Sequence, residues 1–360
     1  MGDPAPPVSY HFAQTMAKAL LAKTDGNFVF SPAGLRHMLY MLQEGMDRKS
    51  AIYRKVHNLL DGCYSEMETC KEDGFTLEHA ASIWYNQSLG LINEDFWDTL
   101  EDEYDAEVRE ANFSLPNLTK RLVDEWASDY TNQMIKTLDL EISQYAQLLV
   151  LDAIYLKGKW ENPFDPDYTE TDTFSNADGS KSDVEMMFQN IERAEYAETG
   201  RYQLIELPYR NVAYSMALVL PKEGESIERI LESDWTDCPT DTCEVELYLP
   251  RVHFDNMLPL NEALTELGLG DMFEKENCFP KISDEPASIS QIKQQCVIRV
   301  EEEGTEAAAV TIAECVVGCL PPDASEQPPT MRIDRPFAFA IKQRYGDLLF
   351  MGVVKDMKQP

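Results

Sequence analysis

The segment EEEGTEAAAVTIAECVVGCLPP, residues 301–322, sets the tightest limit on what this chain can fold into. Three glutamates and a glycine lead into a run with almost nothing large enough to fill a core. Alanine and glutamate favour helix, but Gly304 and the β-branched Thr305, Val310, Thr311 and Ile312 favour extended chain. Taken with the period of a strand, residues 305–317 separate into two faces. Thr305, Ala307, Ala309, Thr311, Ala313, Cys315 and Val317 form a small, uncharged face able to slip between neighbours. Glu306, Ala308, Val310, Ile312, Glu314 and Val316 form the other and carry both charges. The prolines and acids of CLPPDASEQPP then mark an exposed loop. A strand pattern that opens into an exposed loop predicts a strand that inserts later into a sheet it does not yet occupy.

The rest of the chain can supply that sheet. At 360 residues and 44% hydrophobic it can bury a large core. SYHFAQTMAKALLAK (9–23) places Phe12, Met16, Ala19 and Leu20 on one helical face. SAIYRKVHNLL, NEDFWDTLEDEY and TKRLVDEWASDYTNQMI predict further helices. From about residue 148 the pattern turns to strands: YSMALVLP and LLFMGVV read as runs buried on both faces. VELYLPRVHF reads as one alternating strand, with Val245, Leu247 and Leu249 opposite Glu246 and Tyr248. CVIRVEEE alternates too. No repeat or low-complexity linker divides the chain, so helices in front and strands behind predict an α+β fold in one domain, 1–360.

Charge and motif content exclude several functions. With 64 acids against 31 bases the formal charge is −33, which disfavours nucleic acid, heparin-like polyanions and anionic membrane as partners. The longest apolar run, LLVLDAIYL, is broken by Asp152 and is too short for a membrane span. MGDPAPPVSY has neither the basic nor the apolar region of a signal peptide, so the chain as written carries none. Six of eight cysteines form close pairs, Cys63/Cys70, Cys238/Cys243 and Cys315/Cys319. None has C-x-x-C spacing or a nearby histidine, so neither a metal nor a cofactor is expected; local disulfides or free thiols are both compatible with the spacing. Asn86, Asn112 and Asn117 open N-x-S/T tripeptides. His11, His37, His57, His79 and His253 fall in no H-E-x-x-H motif, and there is no G-x-S-x-G. Ser31, before Pro32, reads as a buried hydroxyl bonded to backbone and not as a nucleophile. An enzyme is not expected.

At this point the sequence resembles the serpin family along nearly its whole length. NFVFSPAGLRHML (27–39) resembles the family's early N-x-x-x-S-P segment. LDAIYLKGKWENPFDPDYTETDTF (151–174) resembles its central strand and turn, EEEGTEAAAVT (301–311) its reactive-loop hinge, and RPFAFAI with LLFMGVV its C-terminal strands. The resemblance implies one domain of three β-sheets and about nine helices, probed by an exposed reactive-centre loop (hinge and loop at 301–335). It implies a metastable, single-use inhibitor: a protease attacks the loop, forms an acyl-enzyme, and is dragged away as the freed loop enters the central sheet.

Carried onto this chain, the resemblance gives a hinge of Glu302, Gly304, Thr305, Glu306, Ala307, Ala308 and Ala309, all compatible with insertion. It puts the reactive bond between Gly318 and Cys319, with Val317 and Leu320 as alternative residues before the cut. Small apolar residues there suit an elastase-like serine protease, and no Lys or Arg lies between 300 and 331. Papain-like cysteine proteases, and a non-inhibitory binding or carrier role on the same fold, are the alternatives. The family's sheet latch maps to Ser31, Asp152 and Gln294, where Asp replaces the usual asparagine and Gln its histidine partner; a protonated Asp152 would make opening pH-sensitive. Trp160 maps to a packing anchor where the hinge enters. A Cys315–Cys319 bond would hinder insertion, although two independent thiols are the plainer expectation. The stretch GCYSEMETCKEDGF is acidic where heparin-activated relatives are basic, so heparin is not expected. The resemblance favours a monomer in an extracellular or cell-surface setting.

Overall fold

The computed structural model describes residues 8–60, 69–72, 74–90, 92–131, 133, 135–275, 278–305, 327–344 and 346–358. Helix α1 (Val8–Lys23) and strand β1 (Phe28–Phe30) lead into α2 (Pro32–Glu44) and α3 (Ala51–Leu60). Strands β2 (Cys70–Glu72) and β3 (Phe75–Asn86) precede α4 (Glu94–Tyr104), β4 (Ala106–Ala111), α5 (Pro116–Tyr130) and β5 (Leu148–Lys159). Four strands follow: β6 (Glu170–Ser175), β7 (Lys181–Glu198), β8 (Tyr202–Pro208) and β9 (Tyr214–Pro221). Then come α6 (Ile227–Leu231), β10 (Asp241–Pro250), β11 (Val252–Pro259), α7 (Asn261–Leu264) and α8 (Asp271–Glu274). Strands β12 (Ile289–Glu301), β13 (Gly304–Thr305), β14 (Thr330–Arg332), β15 (Phe337–Gln343) and β16 (Leu348–Val354) complete the order.

Local chemistry explains the helix starts. Ser31 caps α2 through its Oγ, which accepts the Gly34 N–H, and Pro32 follows where a missing N–H costs nothing. Asn93 caps α4 in the same way through the Asp95 N–H. α5 begins earlier than its apolar spacing predicts because Pro116 supplies a preset first turn. It stops at Tyr130, where the buried Thr131 hydroxyl donates to the Ala127 carbonyl and accepts the Ile135 N–H.

Three expectations are revised. Strands do not wait for residue 148: β3 and β4 lie in the first half, and β3 is buried along most of its length, so it shows no alternation. VELYLPRVHF is two strands in different sheets. Pro250 has no N–H to give, Arg251 turns its N–H to the Glu185 carbonyl, and the chain crosses over as β11. The expected three sheets are joined into two hydrogen-bonded networks among the described residues, with eight α-helices. The nine-stranded network runs β1-β16-β15-β9-β8-β7-β10-β14, with β6 also on β7. It is continuous because the 18-residue β7 serves two groups, pairing β6 near its start and β8 near its end.

The seven-stranded sheet positions the site. Its order is β11-β12-β13-β5-β3-β2, with β4 on β3 and a direct β12–β5 contact. Alternate residues of β5 are buried on opposite faces of the sheet, which is why its sequence reads as continuous hydrophobic. Leu149, Leu151 and Ala153 pack with Trp126 and Val123 of α5 on one face. Leu148 and Val150 join the helical core, and Ile154 and Leu156 join the core shared with the larger sheet. Helix α2 threads this interior, buried from Pro32 to Gln43, as a helix apolar nearly all round must be.

In the larger sheet Gly352 leaves no room for a side chain. A Cβ there would lie 2.4 Å from the Phe339 ring and 3.2 Å from the Phe28 carbonyl oxygen. Gly352→Ala is expected to lower unfolding free energy by about 1–3 kcal/mol through overpacking, read as a lower urea midpoint at unchanged slope.

Candidate functional site

The site is the seam between β5 and β12. The two strands pair in parallel from Leu148–Ile289 to Ile154–Cys296, and there the direct pairing ends. Above that point the chain leaving β12 turns at Glu302–Glu303 and re-enters the gap as β13. Glu301 and Val300 of β12 pair antiparallel with Gly304 and Thr305, which pair on their other side with Lys159 and Gly158 of β5. A two-residue strand therefore sits as a wedge at the mouth of the seam. Gly304 is dictated by space, since a Cβ there would lie 2.0 Å from the Gly158 carbonyl oxygen. Thr305 is fully buried, its Oγ1 2.7 Å from the Tyr209 hydroxyl. That hydroxyl is itself wholly buried, and desolvation holds it protonated.

The turn before the wedge is tied down. Trp160 donates its backbone N–H to the Glu303 carbonyl and its indole N–H to the Glu301 carbonyl, while the Phe164 N–H reaches the Glu302 carbonyl. The Trp160 ring is stacked on Tyr209 at 4.8 Å between centroids. The Glu302 carboxylate accepts from Arg251 Nε and Nη2 and from the Thr169 hydroxyl, at 2.6–3.1 Å. Burial pushes this carboxyl up, but the hydrogen bonds from Arg251 and Thr169 outweigh it and hold it below the ordinary range.

Midway down the seam lies a buried polar cluster. Gln294 of β12 stands opposite Asp152 of β5 in the register. Its Nε2 donates to Asp152 Oδ2 at 2.7 Å and to the Ser31 carbonyl at 3.1 Å, and its Oε1 accepts the Ser31 N–H at 2.6 Å. Those partners fix the amide orientation. The second carboxylate oxygen, Oδ1, faces His79 Nε2 of β3 at 2.6 Å. Both carboxylate oxygens thus have a hydrogen-bond partner, one from each neighbouring strand. The carboxylate lies against Gly34 of α2, where a Cβ would come within 2.2 Å of Oδ2. Asp152, Gln294, Ser31 and Cys296 are all essentially inaccessible to solvent. Burial, then the Asp152 charge, pushes the Cys296 thiol up, so it stays protonated.

The structure brings Ser31, Asp152 and Gln294 into one cluster, and Trp160, Glu302, Gly304 and Thr305 into another at the top of the same seam. Glu306, Ala307, Ala308 and Ala309, and Val317, Gly318, Cys319 and Leu320 of the reactive bond, lie outside the described residues, as do Cys63 and Cys315. Cys70, Cys238, Cys243, Cys278 and Cys296 are free thiols. Asn86 is buried with its amide on the Ala146 carbonyl, so it is closed to glycosylation; Asn117 is exposed. Sequence reasoning missed His79, which sits in a strand without alternation, and missed Arg251, which lay inside what read as one strand. The one signal available was for Arg251, a cation directly after proline; His79, beside Glu78, carried none. Among the described residues no cluster of side chains could hold a metal ion.

Glu302→Gln is expected to lower stability by about 1 kcal/mol, a modest figure because Arg251 is 43% exposed and screened by solvent. The carboxyl is held low in the folded protein, so its contribution is complete above about pH 4.5 and is lost as pH falls below that. Urea unfolding between about pH 6 and 3 should therefore show a smaller acid loss in Glu302→Gln than in the parent protein.

A family model described as Serpin (serine protease inhibitor) matches residues 8–357. An uncharacterised serpin-like protein of Methanosarcina acetivorans is 34% identical over 293 residues, 78% of this chain and 68% of that protein. The native-state crystal structure of the thermophilic serpin Tengpin superposes with a TM-score of 0.87 at 23% identity, covering 99% of this chain and 96% of that one. Human thyroxine-binding globulin, solved as a complex with thyroxine, gives 0.83 at 20% identity, with 98% of both chains covered. At these identities the two structures speak for the fold alone. A family match over nearly the whole length, and a relative at 34% identity, establish that the chain belongs to the serpin family, whose members are typically protease inhibitors.

Proposed function

We propose that this protein is a single-use protease inhibitor that traps its target by inserting the cleaved loop between β5 and β12. The observation that carries the reading is the wedge. The chain after β12 already enters the gap at Gly304–Thr305, with a ladder on each side. Below it β5 and β12 are held by seven parallel pairs, a contact that a new strand could replace with two antiparallel ladders.

The segment's pattern fits that route. Thr305 points into the core beside Tyr209, so the face continuing from it is Ala307, Ala309, Thr311 and Ala313, the small uncharged set. Continuing the Thr305–Gly158 register would bring Thr311 opposite Asp152, and a hydroxyl there could take over the Gln294 hydrogen bond. About a dozen inserted residues at ~3.3 Å each would carry an attached protease roughly 40 Å. At ~0.5–1.5 kcal/mol net per added hydrogen bond, insertion would release on the order of 10 kcal/mol. Trapping is then a race between insertion and deacylation. The scissile bond in this reading is Gly318–Cys319, with Val317 and Leu320 as alternative residues before the cut, and the small apolar residues favour an elastase-like serine protease.

A second reading, a binding protein on the same fold, draws on one observation: a cavity of about 190 Å³ beside the hinge anchor, lined by Trp160, Phe164, Ile191, Arg193 and Leu207 among others. The two readings part in one experiment. The protein is mixed with an elastase, a chymotrypsin-like, a trypsin-like and a papain-like protease and run on denaturing gels. A boiling-resistant band at the summed mass, strongest with elastase, is the expected result. Cleavage without that band for all four, and without a rise in thermal stability after cleavage, would overturn the inhibitor reading.

The wedge also predicts a loss-of-function variant. Thr305→Arg would place a charge where the parent residue has no solvent access. The loop should still be cut but seldom trap, raising the inhibitor consumed per protease about tenfold or more, measured by titrating residual protease activity.

A further inference from the structure

We propose that His79 is a positioning residue for sheet opening: it is the counterion that stays with Asp152 when β12 parts from β5. The inference rests on the insertion reading and names what sets the ease of that step in this chain. The halves that would separate are unequal. β3 and β5 share eleven register pairs, from Phe75–Gly158 to Tyr85–Leu148, whereas β5 and β12 share seven with an irregularity at one end. The seam therefore opens between β5 and β12, and β3 travels with β5.

Asp152 has one hydrogen-bond partner on each side of that line. Oδ2 takes Gln294 across the seam and Oδ1 takes His79 from its own half. Parting the sheet removes Gln294, and a buried carboxylate that loses a partner is costly unless another charge answers it. His79 is the group placed to do so, with its side chain 8% exposed and the Asp152 side chain at 0%.

The other groups facing the pair do not compete for that role. His37 of α2 lies edge-on to His79, 4.8 Å between ring centroids. Burial and then the proximity of His79 push its proton affinity down to about 3, against a weaker upward pull from Asp152, so it stays neutral. Tyr104, at the end of α4, stands edge-on to His37 at 5.7 Å. Cys296 of β12 keeps its thiol proton. Gly34 brings no side chain. One carboxylate and one imidazole thus carry the local charge, and the pair is neutral when His79 holds its second proton.

Protonation of His79 favours parting over closure, because in the parted sheet the imidazolium is the donor that Asp152 retains. Acidification should ease opening and alkalinisation should resist it. An asparagine at position 152 would need no counterion; the aspartate makes His79 necessary.

The test is hydrogen exchange of the β12 amides between Ile289 and Cys296, by mass spectrometry, corrected for the intrinsic rate at each pH. The opening fraction of the parent protein should fall about tenfold between about pH 5.5 and 8. His79→Gln, which keeps a donor and loses the charge, should give a flat profile near the parent's high-pH value. The double variant His79→Gln/Asp152→Asn should be flat and more open. A flat parent profile, or the same pH dependence in His79→Gln, overturns the proposal; the parent profile decides it even if the single variant does not fold. A protease panel run beside it separates the two readings. No trapped protease, with the pH profile still lost in His79→Gln, would remove the inhibitor reading and support the role of the pair. Trapping with an unchanged profile would remove this inference alone.

Discussion

The parallel contact between β5 and β12 is the constraint on which the rest of this molecule depends. Each strand is otherwise well held, β5 by its antiparallel ladder with β3 and β12 by its antiparallel ladder with β11. Their contact with one another is parallel, slanted and short. A sheet built from two strong halves and one weak join has a defined place to separate, and separation there exposes two edges of matched length. Exposed edges recruit strands. The chain places one at the mouth of that join, where Gly304–Thr305, leaving the end of β12, pairs with both strands.

The polar cluster acts on that join in a way no apolar pair could. An apolar contact across the seam would be lost smoothly as the strands part. The Gln294 amide instead satisfies three groups at once, the Ser31 N–H, the Ser31 carbonyl and Asp152. Parting the strands would release all of them together, which in the proposed insertion makes the cluster a threshold. Helix α2 is part of it: Ser31 caps the helix and offers its backbone to Gln294, and Gly34 leaves room for the carboxylate. The S-P-x-G arrangement at residues 31–34 is thus explained by one short space beneath the sheet, which must hold a helix start, an amide and an acid together.

Much of this was legible in the chain, and the reasons for the rest are physical. The helices at 8–23, 51–60 and 94–104 follow from spacing and caps, since local hydrogen bonds decide where a helix begins. Val245, Leu247 and Leu249 are all buried, as their alternation required. The same alternation ran on through Val252 and Phe254, because a strand that changes sheets at Pro250 keeps its period and changes only its partners. β3 was lost for the opposite reason: Ala80, Ala81, Ile83, Trp84 and Tyr85 are buried on both faces, which erases the two-residue period. His79 went with it. A histidine has no one-residue signature, and its meaning here comes from Asp152, 73 residues away. The match of Ser31, Asp152 and Gln294 to a common cluster came from resemblance; nothing in periodicity would have joined them.

The two ends of the seam use opposite electrostatics, and the difference has a logic. At the mouth, Glu302 is itself buried, but the Arg251 that holds it together with Thr169 is 43% exposed, so solvent screens that ion pair. In the middle, Asp152 has no water to fall back on and is met by hydrogen-bond partners on both sides. With the Trp160 and Phe164 hydrogen bonds, this anchor fixes the turn at Glu302–Glu303 and keeps Gly304 and Thr305 paired on both sides. In the proposed insertion, a strand continuing the Thr305–Gly158 register must part Gln294 from Asp152 before it reaches the lower seam. The two carboxylates thus differ in their partners: Glu302 meets a half-exposed guanidinium, whereas Asp152 meets only groups closed to solvent.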